Sequence, residues 1–208
     1  MSLYKLTYFD MRGRAEVARQ ILHLAGVPFE DVRLSEEKWA GLKNKTPYGQ
    51  LPILEFRGKV LAQSNAINRY LANEFGFVGK SAFDKAYIDS LADQFKDYLN
   101  KVEPALWVLL EYEKGDSAKV VKEIAIPERD KLFPILEKIA KAKSKNGGYF
   151  VGDSLTWVDL LIADTLTTLL GCMPGHLDGF PTVLNTVNNI NAIPELKKWI
   201  KKRADSTY

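Results

Sequence analysis

Hydrophobic residues in the first 80 positions switch between two spacings. Tyr4, Leu6 and Tyr8 alternate with polar neighbours, which is typical of a strand with one buried face. From 17 to 25 the apolar residues recur every three or four positions, which predicts a helix that Gly26 ends. The same alternation continues along the chain, with strands expected at 29–34, 53–56 and 60–61 and helices at 35–43 and 67–75.

This order of elements, βαβ followed by ββα, is similar to that of a thioredoxin-like domain. Such an α/β domain packs helices on a four-stranded mixed sheet, and we place it at residues 1–79. Glycines at 76 and 79 lie in a short segment, 76–81, that is expected to link it to a second domain.

Strand patterns nearly disappear after the linker, so residues 82–208 are predicted to form an all-helical domain. Apolar spacing predicts a long helix at 83–113, bent at Pro104, and helical structure at 117–143 with bends or a break at its prolines. Three further helices are expected at 156–170, 181–191 and 194–202, and a turn at Asn146-Gly147-Gly148. Thr156 and Asp159 have the spacing of a capping box, which would start the third helix from the end.

Composition narrows the class of protein. Apolar residues make up 46% and charged residues 26% of the chain, as in ordinary globular proteins. The formal charge of +3 is too small for a dedicated nucleic-acid binder, and no apolar run predicts a membrane span or a signal peptide. A single cysteine, Cys172, excludes an intrachain disulfide, and with two histidines a zinc site is not expected. We expect a cytoplasmic protein without a metal.

The segment 8–16, between the first strand and the first helix, is the first candidate for chemistry. Thioredoxin-like redox proteins carry Cys-x-x-Cys at this place, but this chain has no cysteine there, so disulfide exchange is excluded. Tyr8 instead brings a hydroxyl to a helix N-terminus, which is suited to stabilising an anion. Taken alone, Tyr8 could equally be a half-buried strand aromatic.

Two later segments suggest how a peptide-like ligand could bind. Pro52 precedes a strand, and a cis Leu51–Pro52 bond would leave the Leu51 backbone able to pair with an extended ligand. Ser64 begins the next helix, whose N–H groups could bind a carboxylate. The alternatives are an ordinary loop before a strand and a simple helix cap.

Taken together, these segments resemble the cytosolic glutathione transferases, most closely the sigma class, over essentially the whole chain. The matching motifs are Tyr8-Phe9 through Glu16, Trp39, Lys43, Gly49-Gln50-Leu51-Pro52, Gln63-Ser64, Thr156-Trp157-Val158-Asp159 and Asn191-Ala192-Ile193-Pro194. Each motif is weak alone, but their order and spacing are characteristic. The resemblance implies a transferase that conjugates glutathione, its co-substrate, to hydrophobic electrophiles in detoxification.

The resemblance also implies roles for individual residues. Tyr8 would donate its hydroxyl hydrogen to the glutathione sulfur, with Arg14 adding positive potential nearby. The remaining glutathione contacts would come from Trp39, Lys43, Gly49, Gln50, Leu51, Pro52, Gln63 and Ser64. Asp97 matches an acid that reaches across a homodimer to the glutamyl ammonium.

The electrophile is expected in an apolar cleft between the domains, the usual place for a hydrophobic ligand. Its walls are predicted to come from Met11, Gly13, Arg14, Leu106, Trp107, Leu161, Thr165 and Tyr208. Trp107 could as well be a plain core residue.

Two alternative functions remain at the level of sequence. The first is a glutathione-dependent prostaglandin D synthase, although Lys96, between Asp93 and Asp97, interrupts the acidic cluster that binds a divalent ion in that enzyme. The second is non-enzymatic: a carrier of haem or other apolar ligands, or a crystallin-like structural protein on the same fold. Tyr8, Trp39, Lys43, Gln63 and Ser64 favour an enzyme, since a structural protein need not keep them.

Overall fold

The structure is a computed structural model that describes residues 3–143, 148–204, 206 and 208. It divides into two compact units: Met1–Val78 with Ala192–Tyr208, and Gly79–Asn191. Of the turn predicted at Asn146-Gly147-Gly148, Asn146 and Gly147 lie outside the described residues, and Gly148 has a φ of 75°.

The first unit contains a four-stranded sheet. Its elements are β1 Tyr4–Phe9, α1 Glu16–Leu24, β2 Phe29–Leu34, α2 Glu36–Leu42, β3 Ile53–Phe56, β4 Lys59–Ala62, α3 Ser64–Phe75 and α9 Pro194–Lys202. The strand order is β2-β1-β3-β4, with β1 and β2 parallel and the other pairs antiparallel. This is the mixed sheet that the sequence predicts. Arg57 and Gly58, both with positive φ, form the β3–β4 turn, as a two-residue hairpin requires.

The core of the first unit forms where β1 meets α1 and α3. Leu6 on β1, Ile21 on α1 and Ile67 on α3 are completely buried. Each lies at the strand or helix spacing that the apolar pattern of the sequence predicts. Burying these faces holds the ends of β1, β3 and β4 in fixed positions, which is what places the candidate site.

The described part of the second unit contains helices joined by turns, and no strand. It contains α4 Ala82–Leu109, α5 Ser117–Val120, a π-helical segment Val121–Ala125, α6 Ile126–Lys143, α7 Trp157–Cys172 and α8 Pro181–Asn191. Trp157, Phe95, Phe133 and Phe150 are its largest fully buried apolar side chains. The capping box at Thr156 and Asp159 is confirmed, with the Thr156 N–H donating to Asp159 Oδ2 at 2.8 Å.

Three details differ from the predictions. The helix expected at 83–113 ends at Leu109, because the backbone turns to a left-handed φ of 62° at Glu111. Pro127 causes no break, since it is the second residue of α6, which continues directly from a π-helical segment. The helical hydrogen-bond pattern changes instead at Val121–Ala125, which contains no proline.

By its contacts α9 belongs to the first compact unit, whereas the sequence predicts it within the helical domain at 82–208. Residues 192–208 pack with the first unit, because Trp199 Nε1 donates to the buried carboxylate of Glu16 on α1 at 2.7 Å. The sequence contains the apolar face of α9 but not its partner, so the assignment to the helical domain followed chain order alone.

Candidate functional site

Most of the residues predicted to bind glutathione lie at or near one edge of the sheet in the first unit. The C-terminal ends of β1 and β2 meet there, because Phe9 pairs with Leu34. The start of β3 and the end of β4 lie at the same edge, since Ile53 pairs with both Thr7 and Ala62. Tyr8, Leu51 and Gln63 therefore approach one another although more than 50 residues of chain separate the first from the last.

Tyr8 has a buried side chain whose hydroxyl meets the turn before α1. The Arg14 backbone N–H donates to the Tyr8 hydroxyl oxygen at 3.3 Å. This contact uses a lone pair of the oxygen and not its hydrogen. Gly13 passes so close that a Cβ atom there would lie 2.8 Å from the hydroxyl oxygen. The sequence pattern does not reveal this close approach.

Trp39 and Lys43 follow β2 and return to this edge of the sheet. Trp39 on α2 contacts Phe9 edge to face, with ring centroids 5.9 Å apart. Lys43 is exposed. Its Cγ and Cε would each lie 3.8 Å from a Cβ at Gly49. Trp39 and Lys43, both predicted to contact glutathione, are thus next to the strand of Tyr8 and to the 49–52 loop respectively.

The 49–52 loop leads directly into β3. The Leu51–Pro52 peptide bond is cis. Leu51 lies two residues before Ile53, the first residue of β3 to pair with β1. Gln50 and Gln63 are joined by a hydrogen bond of 3.0 Å from Gln63 Nε2 to Gln50 Oε1. This bond brings the 49–52 loop and the start of α3 together.

The backbone of Gln63 is unusual for a residue with a side chain. Its φ is 75°, a left-handed conformation that costs about 1–3 kcal/mol outside glycine and is concentrated at functional sites. Gln63, not Ser64, is the N-cap residue, and its side chain makes no capping bond. Ser64 is the first residue of α3, so its half-buried hydroxyl lies among the N–H groups that favour an anion.

The predicted walls of the hydrophobic site are divided between the two units. In the first unit Met11 and Gly13 are half-buried and Arg14 is exposed, and the Arg12 N–H donates to the Tyr208 carbonyl at 2.9 Å. Tyr208 is therefore adjacent to the Met11–Gly13 loop.

The second unit holds the other candidates. Leu161 and Thr165 lie one turn apart on α7 and are half-buried, whereas Leu106 on α4 is buried. Trp107 packs edge to face on Tyr112, with ring centroids 5.6 Å apart. Asp97 is exposed on α4. Cys172 is half-buried at the end of α7.

A buried ionic network next to Tyr8 was not predicted. Glu16 and Arg19 on α1 have fully buried side chains, and Arg19 Nε donates to Asp31 Oδ1 at 3.0 Å. The signal in the sequence was the presence of Glu16, Arg19 and Gln20 on a helix that is otherwise apolar, where charged residues are rarely buried unless paired.

The part of the chain that the structure describes shows neither a metal site nor a membrane-spanning helix. No cluster of three or more His, Cys, Asp or Glu side chains in that part of the chain could hold a metal ion. None of its helices is long and apolar enough to cross a membrane.

Comparison with known families identifies the class of protein. The family model "Glutathione S-transferase, N-terminal domain" matches residues 4–73, and "Glutathione S-transferase, C-terminal domain" matches residues 97–203. The chain therefore belongs to the glutathione S-transferase family, whose members are transferases that use glutathione as co-substrate.

Particular relatives are similar over the full chain. Glutathione S-transferase 1 of Ascaris suum is 49% identical and is covered completely, as is this chain. A Nu-class transferase from Haemonchus contortus is also 49% identical, with a TM-score of 0.90 and complete coverage of both chains. Na-GST-3 of Necator americanus, described as monomeric, is 44% identical over 99% of both chains, with a TM-score of 0.94.

A more distant structure bears on the choice of substrate. Prostaglandin synthase D of Nilaparvata lugens is 30% identical, with a TM-score of 0.84 over 97% of this chain and 99% of its own.

Proposed function

We propose that this transferase conjugates glutathione to hydrophobic electrophiles and that the Tyr8 hydroxyl stabilises the glutathione thiolate. The observation that supports this most is the Tyr8 hydroxyl itself. It lies at the sheet edge beside the turn that begins α1, and it accepts the Arg14 N–H. A donor polarised in this way and held in a buried position is suited to an anionic sulfur.

The strength of one such bond is sufficient to change the ionisation of a thiol. A thiol with a pKa of about 8.5 is only about 3% ionised at pH 7. A hydrogen bond to a charged acceptor contributes about 1.5–3 kcal/mol, which corresponds to a fall in the pKa of roughly one to two units. The thiolate then forms a large fraction of bound glutathione at neutral pH. Because the thiolate is the nucleophile, the reaction with an electrophile is accelerated.

The other residues at this edge are proposed to hold the rest of the tripeptide. Trp39 and Lys43 would bind the glycine carboxylate, and Leu51 would pair through its backbone with the cysteinyl unit. Gln50 would contribute polar contacts, and Gly49 and Pro52 would contact glutathione in the same loop. Gln63 and Ser64 would bind the γ-glutamyl carboxylate, for which the N-terminus of α3 is favourable. The bond between Gln50 and Gln63 supports one continuous binding surface.

The apolar partner of the reaction is proposed to contact the residues that the sequence predicts for its site. These are Met11, Gly13, Arg14, Leu106, Trp107, Leu161, Thr165 and Tyr208. The half-buried state of Met11, Trp107, Leu161, Thr165 and Tyr208 is compatible with such contacts. We further propose a role in detoxification in the cytoplasm.

A direct test uses immobilised glutathione and a chloronitrobenzene electrophile. The protein is expected to be retained on the column and to form the glutathione conjugate. Failure of both would favour a carrier or structural protein. Incubation with glutathione and prostaglandin H2 separates the remaining alternative, since only a prostaglandin D synthase would isomerise it.

The class within the family is part of the same proposal. The sigma class is supported by the motifs and by the similarity to prostaglandin synthase D at 30% identity. The higher identity of 49% to a Nu-class transferase favours the Nu class. Lys96 among the acids of α4 supports a conjugating enzyme over a synthase that needs a divalent ion.

A homodimer is also proposed, with Asp97 contributing to the partner's glutathione site. Tyr87 lies one turn after Phe83 on α4 and Asp97 lies 14 residues after it, so both are close to the face of Phe83, and all three side chains are exposed. Phe83 is 78% exposed and Tyr87 37% exposed, and an apolar surface of this kind supports a contact with a second chain. Light scattering over a range of concentrations should give twice the chain mass. A single chain mass, as described for Na-GST-3, would contradict the dimer.

A further inference from the structure

Arg19 is a buried cation that holds the backbone of the loop after Tyr8. Its side chain is fully buried on α1. Its Nη1 donates to the Met11 carbonyl at 2.9 Å and to the Arg12 carbonyl at 3.1 Å. Its Nη2 is buried without a hydrogen-bond partner among the described residues, and burying an arginine with an unsatisfied donor is unfavourable, so this position has a structural or functional cause.

The loop that Arg19 holds is the one that meets the Tyr8 hydroxyl. Arg12 is followed by Gly13, which touches the Tyr8 ring, and by Arg14, whose N–H donates to the hydroxyl oxygen. The Arg19 guanidinium carbon also lies 6.0 Å from the centre of the Tyr8 ring. Arg19 therefore approaches Tyr8 from the side of α1 and determines where the following backbone lies.

The negative partners of Arg19 fix its orientation. Its Nε donates to Asp31 Oδ1 at 3.0 Å, and its Nη1 lies 3.5 Å from Glu16 Oε2. Glu16 is held in turn by Arg203, whose Nη1 donates to Glu16 Oε1 at 2.8 Å. An arginine fork fixed on two sides directs its remaining donors with little loss of rotamer freedom.

We propose that Arg19 is a positioning residue for the transferase reaction. Arg19 holds the Met11 and Arg12 carbonyls so that the Arg14 N–H and the Tyr8 hydroxyl meet in the geometry that stabilises the thiolate. The inference rests on the proposed function of Tyr8. A lysine at this position would keep the positive charge between Glu16 and Asp31. It would lose the planar fork that reaches the acids and the two carbonyls together.

The test is Arg19→Lys, with Arg203→Lys as a matched control in the same network. Arg203 is bonded to Glu16, so its substitution disturbs the network from the side of α9. We expect Arg19→Lys to lower kcat about tenfold or more and to raise the thiolate pKa of bound glutathione by about one unit, since small displacements of a reacting group are costly. The KM for glutathione should change less than about twofold, because uniform binding is retained. Arg203→Lys should lower the thermal midpoint without changing the thiolate pKa.

Two further measurements keep the result interpretable. Hydrogen exchange at the Arg14 amide should become faster in Arg19→Lys and not in Arg203→Lys, and this readout needs no activity. If Arg19→Lys folds poorly, the double variant Glu16→Gln with Arg19→Gln removes both charges while Asp31 keeps its bond to Arg33 at 3.0 Å. It should show the same loss of kcat.

The outcomes separate the inference from the function on which it rests. A wild-type thiolate pKa, kcat and Arg14 exchange rate in folded Arg19→Lys would overturn the positioning role and leave the role of Tyr8 intact. If the wild-type protein itself does not lower the thiolate pKa, the proposed function fails. Unchanged exchange at Arg14 would then still overturn the placement of the loop by Arg19.

Discussion

Substitution of Gly13 by alanine should move the Tyr8 hydroxyl. A Cβ at position 13 would lie 2.8 Å from the Tyr8 hydroxyl oxygen and 2.9 Å from its Cε1. Ordinary van der Waals contact with a Cβ begins at 3.4 Å, so the ring or the loop must shift by about 0.6 Å. The φ of Gly13 is also +41°, a conformation that alanine adopts at a cost of about 1–2 kcal/mol.

The two effects have different consequences. The backbone cost lowers the free energy of unfolding by about 1–2 kcal/mol. The displacement acts on the rate, because a misplacement of about 1 Å can cost about 100-fold, and a shift of 0.6 Å therefore about tenfold. We expect Gly13→Ala to lower kcat with the chloronitrobenzene substrate by about one order of magnitude and to leave the KM for glutathione nearly unchanged.

Gly26→Ala is the matched control. Gly26 has a φ of +66°, but a Cβ there would have nothing within 4 Å. Steady-state kinetics and chemical denaturation of both variants separate the effects. Gly26→Ala should lose similar stability and keep wild-type kcat. Equal kcat in Gly13→Ala and the wild type would refute the argument that contact with Gly13 positions Tyr8.

Two further predictions concern Gln63 and His176. Gln63→Gly should be more stable than Gln63→Ala by about 1 kcal/mol in chemical denaturation, because only glycine adopts the φ of 75° without strain. Both variants should lose glutathione affinity in calorimetry. Equal stability of the two variants would contradict backbone strain at Gln63. Burial, and as the second cause the positive charge of the nearby Arg129, lowers the pKa of His176 from 6.5 to about 4. Between these two pH values the imidazole therefore stays neutral in the folded protein and takes up a proton on unfolding. The unfolding free energy should therefore fall as the pH decreases from 6.5 to about 4, by about 3 kcal/mol at most. The unfolding free energy of His176→Gln should fall less over the same pH range, and comparison with the wild type removes the contribution of other titrating groups. Identical pH profiles of the two proteins would contradict a lowered pKa of His176.

The apolar pattern was sufficient for the architecture. Alternation at Tyr4, Leu6 and Tyr8 predicted β1, and the helical spacing before Gly26 predicted α1, because each element buries one face that the sequence displays directly. The starts of α8 and α9 agreed with the prediction because their first residues are prolines.

Long-range packing was not predictable in the same way. The docking of α9 on α1 depends on the bond from Trp199 to Glu16, between residues 183 positions apart. No local spacing encodes such a pair. The buried Arg19 network was missed for the same reason, since charge on a helix is usually solvated.

The candidate site was predicted as a set of residues and not as a geometry. The family resemblance selected Tyr8, Gln50 and Gln63, and the sheet register explains why they share one edge. The contact between Gly13 and the Tyr8 hydroxyl and the left-handed backbone of Gln63 depend on exact backbone positions, which residue types do not specify.

The central claim is that the Tyr8 hydroxyl stabilises the thiolate of bound glutathione. The most direct measurement is a titration of the ultraviolet absorbance of the thiolate in complexes of the wild-type protein and Tyr8→Phe, at saturating glutathione. The wild type should titrate one to two units below the free thiol, and Tyr8→Phe close to the free value of about 8.5, with similar affinity for glutathione. A thiolate pKa that is equally low in Tyr8→Phe, together with unchanged kcat, would contradict the account.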